Sequence, residues 1–331
     1  MMAPSEQAPI PVAVIGVGHF GRYHALHYAK NPRAKLVAVI DTDEARRNAV
    51  AAETGAEPGA DYLSLIGRVA AVSIAVPTPL HFELAQTLIR AGIHVLVEKP
   101  ITDTLSSAVA LTNLAAERGT ILQVGHVERY SSAFRVLSKI VDEPLYCECY
   151  RISPWKQRGV EVNVILDLMI HDIDMILGVM ASPTVDVTAV GTAVLSKRID
   201  LANARITFES GCVANTTASR VSYKTERRIR IFQRKAYINC DLGESKISTY
   251  SLRGDPLTQG LAAIAMETYE IPKEDSLANE IEDFLQCIAT GRKPMVDGHA
   301  ACEAVRVATM IDDSIREHLS NLHLSPSDLP E

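Results

Sequence analysis

Apolar residues in the first 125 positions alternate between short continuous runs and stretches with helical spacing. The continuous runs are rich in β-branched residues and cover 11–15, 35–40, 69–75, 94–97 and 121–124. Stretches with helical spacing lie between them, at 22–30, 44–54, 81–91 and 105–118. Strands that alternate with helices are typical of a doubly wound parallel sheet with helices on both faces. We therefore predict an α/β domain over residues 1–126.

The remaining residues, 127–331, have a different pattern. Alternating apolar and polar positions predict strands at 145–152, 185–194, 200–208, 212–220, 226–233, 235–242 and near Ile247. Helical spacing occurs at 131–139, 162–180, 277–290 and 299–319. One large open mixed or antiparallel sheet with helices on one side is the fold that suits this order, so we predict a C-terminal α+β domain.

A glycine-rich turn follows the first apolar run. Residues 16–21 read Gly-Val-Gly-His-Phe-Gly and lead into a helical pattern, and Asp41 ends the second strand twenty residues later. In a dinucleotide-binding βαβ unit, Gly16 permits the tight turn, Gly18 admits the pyrophosphate and Gly21 lets helix and strand pack closely. Asp41 would accept hydrogen bonds from the ribose and repel a 2′-phosphate. The pattern predicts a Rossmann domain that binds NAD, with His19 and Phe20 beside the cofactor.

Composition limits the other classes. The chain has 331 residues, 47% of them apolar and 22% charged, with a net charge of −7 and a pI near 5.8. This charge argues against nucleic acid or an anionic membrane as partner. We find no bilayer-length apolar run and no signal-peptide pattern, so we expect a cytoplasmic protein. Six scattered cysteines without zinc-like spacing predict reduced thiols and no metal site.

One predicted helix carries polar residues on a face that should be buried. Asp167, His171 and Asp174 are spaced i, i+4 and i+7, which places them on one stripe of a helix at 162–180. Carboxylates and imidazoles are costly to bury unless they pair or take part in chemistry. A hydrogen-bonded core histidine is the alternative interpretation of His171.

Further polar residues follow the predicted strands at their carboxyl ends, where doubly wound sheets bind ligands. Pro77, Thr78 and His81 come after the third strand, and Glu98 and Lys99 come after the fourth. The alternative for Thr78 and His81 is a turn with a helix cap, and the alternative for Lys99 is a solvated loop.

Taken together, these motifs resemble the Gfo/Idh/MocA oxidoreductase family. The resemblance rests on the glycine run 16–21, on Glu98-Lys99-Pro100, on Asp167-x-x-x-His171, and on the tail from Glu282 to Pro294. It spans essentially the whole chain and implies an NAD-dependent oxidoreductase that acts on a CH–OH group.

The resemblance also implies roles for individual residues. His171 would accept the substrate hydroxyl proton, a step that suits an imidazole with an unperturbed pKa of about 6.5. Lys99 would stabilise the developing charge on the same oxygen, and Asp167 would orient His171 or contact substrate. Glu98 would contact the nicotinamide ribose, and the Pro77–His81 turn would line the rest of the cofactor. Asp174 could be structural only.

Cations and aromatic residues near the predicted catalytic helix suggest a phosphorylated substrate. Arg129, Arg151 and Arg158 could bind a pyrophosphate in bidentate fashion, and Tyr130 or Trp155 could stack on a sugar or base. The alternative is a solvated loop in which Trp155 covers the core.

The segments 151–154, 167–174 and 230–233 carry a closer resemblance, to members of the family that oxidise the C3 hydroxyl of UDP-N-acetylglucosamine. It implies a UDP-sugar substrate, a 3-keto product, and a downstream aminotransferase that makes 3-amino sugars for lipid A. Two alternatives stay open, a dehydrogenase of a free sugar or cyclitol and a non-catalytic NAD sensor.

A cationic strand lies at 224–235. In this family the open sheet face builds the subunit interface, so we expect these charges to pair with acids of a neighbouring chain. The resemblance thus implies a homodimer or homotetramer.

Overall fold

The structure, a computed structural model, describes four ranges of the chain: 8–156, 162–180, 182–234 and 236–322. Contacts divide the chain into two compact units. The first comprises Met1–Val127 with Asp275–Cys302, and the second comprises Glu128–Glu274 with Glu303–Glu331. A C-terminal segment that the sequence placed in the second domain therefore packs with the first unit.

The strands are numbered along the chain. They are β1 (Ile10–Ile15), β2 (Ala34–Ile40), β3 (Glu57–Gly59), β4 (Ala71–Ile74), β5 (His94–Glu98), β6 (Leu122–Gly125), β7 (Pro144–Ile152), β8 (Thr184–Thr192), β9 (Leu201–Phe208), β10 (Val213–Ser219), β11 (Glu226–Gln233), β12 (Ala236–Asp241), β13 (Lys246–Leu252) and β14 (Ile264–Glu270).

The α-helices are numbered in the same way. They are α1 (His19–Lys30), α2 (Glu44–Thr54), α3 (His81–Arg90), α4 (Leu105–Arg118), α5 (Ser132–Ile140), α6 (Ile170–Val179), α7 (Pro256–Gln259), α8 (Ser276–Thr290) and α9 (Gly298–Asn321).

The first unit contains a six-stranded sheet in the order β3-β2-β1-β4-β5-β6, with every neighbouring pair parallel. This confirms the predicted doubly wound sheet. Its central strands read as continuous apolar runs because both faces are covered; Val12, Val14, Val39 and Leu96 are all buried. The order reverses between β1 and β4, and that switch point is where such sheets bind nucleotides.

Local signals set the helix ends in this unit. The Asp43 side chain accepts a hydrogen bond from the Arg46 N–H at the start of α2, and Thr104 does the same for Ser107 in α4. Glycine in the left-handed conformation ends both helices. These caps explain why both helices begin and end where the sequence predicted.

The second unit contains an eight-stranded sheet in the order β14-β13-β12-β11-β7-β10-β9-β8. β7 and β10 are parallel, and the other pairs are antiparallel, which confirms the predicted mixed sheet. The edge strand β14 was not predicted. Its side chains are mostly exposed, so its sequence lacks the alternation that identifies a half-buried strand.

The helix predicted at 162–180 differs from a single α-helix. Residues Ile165–Met169 form a π-helical segment, and regular α-helix begins only at Ile170. Asp167 therefore lies in the π-helical segment, and His171 lies in α6. A four-residue spacing is close to one full turn in either kind of helix, so the two residues stay on the same side of the segment.

Two further findings concern the chain as a whole. All six cysteines are buried and unbridged, as the sequence predicted. Within the described ranges, no helix combines the length and the apolar character needed to cross a bilayer.

Candidate active site

The glycine turn after β1 has three positions with different steric demands. Gly16 has a φ of +80°, and a Cβ there would lie 2.6 Å from the Val76 side chain. A Cβ on Gly21 would lie 1.7 Å from the Gly16 carbonyl oxygen. Among the described residues, no atom lies within 4 Å of a Cβ built on Gly18. The first and third glycines thus serve packing, while the second leaves open space.

The helix that follows presents its N-terminus next to this space. α1 begins after Gly18, which has no side chain to cap it, and its first turn contains no acidic residue. Its first N–H groups and its dipole therefore favour an anion. The exposed rings of His19 and Phe20 contact each other edge to face at 5.3 Å between centroids.

Asp41 lies at the end of β2 and is only 8% exposed. Its carboxylate accepts hydrogen bonds from the Val17 N–H (2.9 Å) and from the Asp43 N–H (2.9 Å). Arg46 lies 3.4 Å from the same carboxylate. Asp41 therefore fixes the glycine turn, and its contact with the ribose stays a prediction. Arg46 is a neighbour that sequence reasoning missed.

The turn after β4 contains the predicted cofactor residues Pro77, Thr78 and His81. Pro77 is exposed and Thr78 is half-buried, whereas His81 is 1% exposed. The ring nitrogens of His81 lie 2.9 Å from the carbonyl oxygens of Pro100 and Val76. A protonated nitrogen can donate to either carbonyl, so the buried His81 side chain connects the turn after β4 to the turn after β5.

The end of β5 carries Glu98 and Lys99, and the Lys99–Pro100 peptide is cis. Glu98 accepts a hydrogen bond from the Lys99 N–H at 3.2 Å, and its other oxygen lies 3.0 Å from Nε2 of His24. Burial raises the pKa of Glu98, but the hydrogen bond and charge of His24, together with the charge of Lys99, outweigh it and lower this pKa below its ordinary value. Glu98 is thus stabilised as a carboxylate.

In the second unit, the segment before α6 is held by Asn163. The Asn163 side chain accepts a hydrogen bond from the Leu166 N–H and donates one to Asp312. Asp167 and His171 are both half-buried. A π-helical segment beside a candidate catalytic residue fits the frequent occurrence of such segments at functional sites.

A buried cluster of charged side chains connects α6 to β7 and to the segment before α5. Arg151 is 4% exposed, and its guanidinium donates to Asp172 (3.0 Å) and to Glu128 (2.9 Å). Burial raises the pKa of Asp172 above its ordinary value despite Arg151. Burial also raises the pKa of Glu128, but there Arg151 and Arg227 outweigh it and lower the pKa. The Arg151 donors are therefore engaged inside the unit, which favours a structural role over the predicted pyrophosphate contact.

Arg129 and Asp174 form a second internal pair. The Arg129 Nε lies 3.5 Å from the buried Asp174 carboxylate, and the guanidinium packs so closely on α6 that a Cβ at Gly178 would lie 1.0 Å from Nη1. Asp174 thus ties α6 to the segment after the first unit, as the structural interpretation proposed. Tyr130 is buried.

The loop after β7 leaves two side chains near the surface. Trp155 is 37% exposed, and the Arg220 guanidinium lies 6.0 Å from its ring centroid. Lys156 is exposed. Arg158 lies outside the described residues. Of the predicted substrate contacts, Trp155 is therefore the described side chain with the most accessible surface.

Four cations of the strand at 224–235 have acidic partners within the second unit. Lys224 and Arg228 contact Glu226, Arg227 contacts Glu128, and Arg230 contacts Glu148. These cations have acidic partners on their own sheet or next to it. The expected pairing with acids of a neighbouring chain stays a prediction.

The glycine turn of the first unit and its surroundings fit a dinucleotide. A side chain on Gly16 or Gly21 would collide with backbone or with a packed neighbour, while Gly18 has room around it beside the α1 N-terminus. The Asp41 carboxylate lies at the neighbouring strand end. An open space, an anion-binding helix end and a ribose acceptor are the features that NAD requires.

Comparisons with known proteins agree with this geometry. Residues 10–126 match a family described as an oxidoreductase family with an NAD-binding Rossmann fold. Residues 147–239 match the Gfo/Idh/MocA C-terminal domain.

Individual relatives are similar over nearly the full length. The chain is 38% identical to UDP-N-acetylglucosamine 3-dehydrogenase of Acidithiobacillus ferrooxidans over 92% of this chain and 97% of that protein. A solved structure of that enzyme superposes with a TM-score of 0.88 at 37% identity and covers 93% of this chain and 98% of the other. Inositol 2-dehydrogenase of Rhizobium meliloti is 26% identical over 92% of this chain and 96% of that protein.

Proposed function

The chain belongs to the Gfo/Idh/MocA oxidoreductase family, and from this premise we propose that it oxidises the C3 hydroxyl of UDP-N-acetylglucosamine, with NAD, to the 3-keto nucleotide sugar. The observation that carries the proposal is the 38% identity with an enzyme of that name over 92% of the chain. The glycine turn, the α1 N-terminus and Asp41 support the cofactor.

The roles of the side chains follow from their chemistry. NAD, when bound, supplies the hydride acceptor. His171, half-buried at the start of α6, accepts the hydroxyl proton. Lys99 donates a hydrogen bond to the same oxygen and stabilises its developing negative charge. Asp167 orients the imidazole or contacts the sugar.

We propose fewer substrate contacts than the sequence alone predicted. Arg129 and Arg151 are engaged with Asp174, Asp172 and Glu128, so they hold α6 in place. Trp155 retains exposed ring surface that can stack on a base or sugar, and Lys156 offers a mobile positive charge for a pyrophosphate. Tyr130 is 2% exposed, so its ring packs in the core and we no longer propose it as a stacking contact. Arg158 stays a proposed contact from the sequence.

The chemistry of the product suggests the next step. A 3-keto sugar is an acceptor for an amino group, so we propose an aminotransferase as downstream partner and 3-amino sugars for lipid A as the destination. We also propose a homodimer or homotetramer in the cytoplasm. The six buried, unbridged cysteines support a reducing compartment.

A direct test mixes the purified protein with UDP-N-acetylglucosamine and NAD. Absorbance at 340 nm should rise, and mass spectrometry should show a product lighter by two hydrogens. Because the equilibrium can oppose oxidation, an aminotransferase with its amino donor is added to trap the ketone. No product under trapping contradicts the proposal.

The relatives that act on inositol define the competing substrate class. The same assay with myo-inositol should give no NADH beyond the blank. Turnover of inositol without turnover of the UDP-sugar would assign the chain to the cyclitol dehydrogenases instead.

A further inference from the structure

A chain of buried polar side chains crosses the first unit from α1 to the end of β5. His24 is 1% exposed, and its Nε2 lies 3.0 Å from Oε1 of Glu98. Its Nδ1 lies 3.1 Å from the Ser73 hydroxyl, which lies 2.8 Å from the Tyr28 hydroxyl. With Nε2 protonated, His24 donates to Glu98 and accepts from Ser73, and Ser73 accepts from Tyr28. Each link in the chain is then a complete hydrogen bond.

This chain ends on the backbone of Lys99. The second oxygen of Glu98 accepts the Lys99 N–H at 3.2 Å. Gly125, on the neighbouring strand, makes room for the carboxylate, since a Cβ there would lie 3.0 Å from Oε2. The Glu98 carboxylate is therefore held on one side by His24 and contacts the Lys99 backbone on the other.

Several other ionisable groups face His24 and Glu98. A carboxylate oxygen of Glu280, in α8, lies within 4.8 Å of a ring nitrogen of His24 and of a carboxylate oxygen of Glu98. Lys99 adds positive charge near Glu98, and His27 of α1 is close enough to His24 for their charges to interact. Burial raises the pKa of Tyr28, which therefore stays a neutral donor. The balance of charge around Glu98 thus depends on His24.

We propose that His24 is a positioning residue for Lys99, because it holds the Glu98 carboxylate that accepts the Lys99 N–H. The proposal rests on the proposed dehydrogenase activity, in which Lys99 stabilises the substrate oxygen. Neither the glycine motif nor the strand-end motif includes His24, which lies one helical turn after Gly21. Its role follows from the contact between α1 and β5.

The test compares His24→Ala with His24→Gln. A glutamine amide can donate to Glu98, whereas alanine cannot. Without His24, the Glu98 carboxylate loses the hydrogen bond and the charge of His24 that lower its pKa, while burial still raises this pKa and Lys99 still lowers it. The pKa of Glu98 is then higher than in the wild type, and the acid limb of kcat/KM moves to higher pH.

We expect His24→Ala to lower kcat about tenfold or more and to shift the acid limb of kcat/KM to higher pH. His24→Gln should restore most of the kcat and most of the acid-limb position. If His24→Ala does not fold, His24→Asn replaces it, since asparagine is too short to reach Glu98. His94→Ala is the matched control. His94 lies at the other end of β5, where its ring accepts the Ile121 N–H, and its loss should leave the pH profile unchanged.

A second measurement needs no turnover. The rate of acetylation of Lys99 is measured by peptide mass spectrometry relative to that of the exposed Lys30 of the same molecule. This relative rate should change at least about threefold in His24→Ala and return to the wild-type value in His24→Gln. An unchanged Lys99 rate, or an acid limb that stays in place, overturns the proposal. Lack of turnover in the wild type with an altered Lys99 rate in His24→Ala overturns only the proposed substrate.

Discussion

The two units hold their candidate catalytic side chains in different ways. Lys99, in the first unit, follows a strand of a regular parallel sheet, and its N–H bonds to the adjacent Glu98. His171, in the second unit, lies on a helix held by ion pairs that are far apart in sequence. Arg151 is 21 residues from Asp172 and 23 residues from Glu128. The first arrangement depends on a strand of a regular sheet and on the buried contact of Glu98 with His24, and the second depends on buried ion pairs between elements.

This difference determines how each unit should respond to substitution. A steric change at one glycine of the first unit affects backbone that cannot move without disturbing the sheet. A charge change under α6 leaves an unpaired ion in a buried position, with no backbone clash. The predictions below test this distinction, beginning with the largest effect.

Gly21→Ala should cause the largest loss, because its Cβ would lie 1.7 Å from the Gly16 carbonyl oxygen. We expect a destabilisation above about 4 kcal/mol and loss of NAD binding. Gly18→Ala is the matched control, since the structure leaves space for its Cβ; it should fold normally and weaken NAD binding only. Thermal melting and hydrogen exchange of α1 would measure both. Equal melting temperatures for the two variants would contradict the steric argument.

The same distinction explains what the sequence could predict. The alternation of strands and helices, the glycine turn and the strand-end positions of Glu98 and Lys99 depend on local patterns, and the structure has them in place. The order of the strands within the sheet and the short strand β3 were not predicted. His24 and Arg46 depend on contacts between elements that no short motif encodes. In the second unit, the polar stripe drew notice to Asp174 but missed Asp172, whose partner Arg151 is on another element.

The cationic strand gives the same lesson on a surface. The sequence shows the charges at 224–235 but not which residues lie opposite each other across strands. The partners on another chain that the family resemblance implies stay a prediction. The register places Arg230 opposite Glu148, and they form an ion pair. Cross-strand neighbours of this kind follow from topology and not from local sequence.

Asp172→Ala should have the next largest effect. It removes a buried partner of Arg151, and we expect a loss of about 3 kcal/mol because Glu128 still balances part of that charge. Glu303→Ala, which breaks an exposed pair with Arg306, should cost less than about 1 kcal/mol. Denaturant unfolding gives both values. Faster hydrogen exchange in α6, with β1 unchanged, would localise the damage to the second unit.

Lys99→Ala and His171→Ala should leave folding intact and reduce chemistry. We expect turnover to fall about a hundredfold or more in each, equivalent to about 2.7 kcal/mol of transition-state stabilisation, while NAD still binds. The assay is NADH formation with ketone trapping, with NAD affinity measured separately. Near-normal turnover in either variant removes that residue from the mechanism. His94→Ala, at the far end of β5 from Lys99, controls for unspecific damage.

Asp41→Ala should have the smallest effect and the most specific one. It removes the proposed ribose acceptor and the bond to the Val17 N–H, so NAD binding should weaken about tenfold, or about 1.4 kcal/mol. It also removes the charge that repels a 2′-phosphate and leaves Arg46, whose guanidinium now faces Asp41, to attract one. NADP binding should therefore strengthen in Asp41→Ala and return to its original value in Asp41→Ala/Arg46→Ala. Titration of both cofactors measures this, and an unchanged ratio of affinities would mean that Asp41 acts only through the glycine turn.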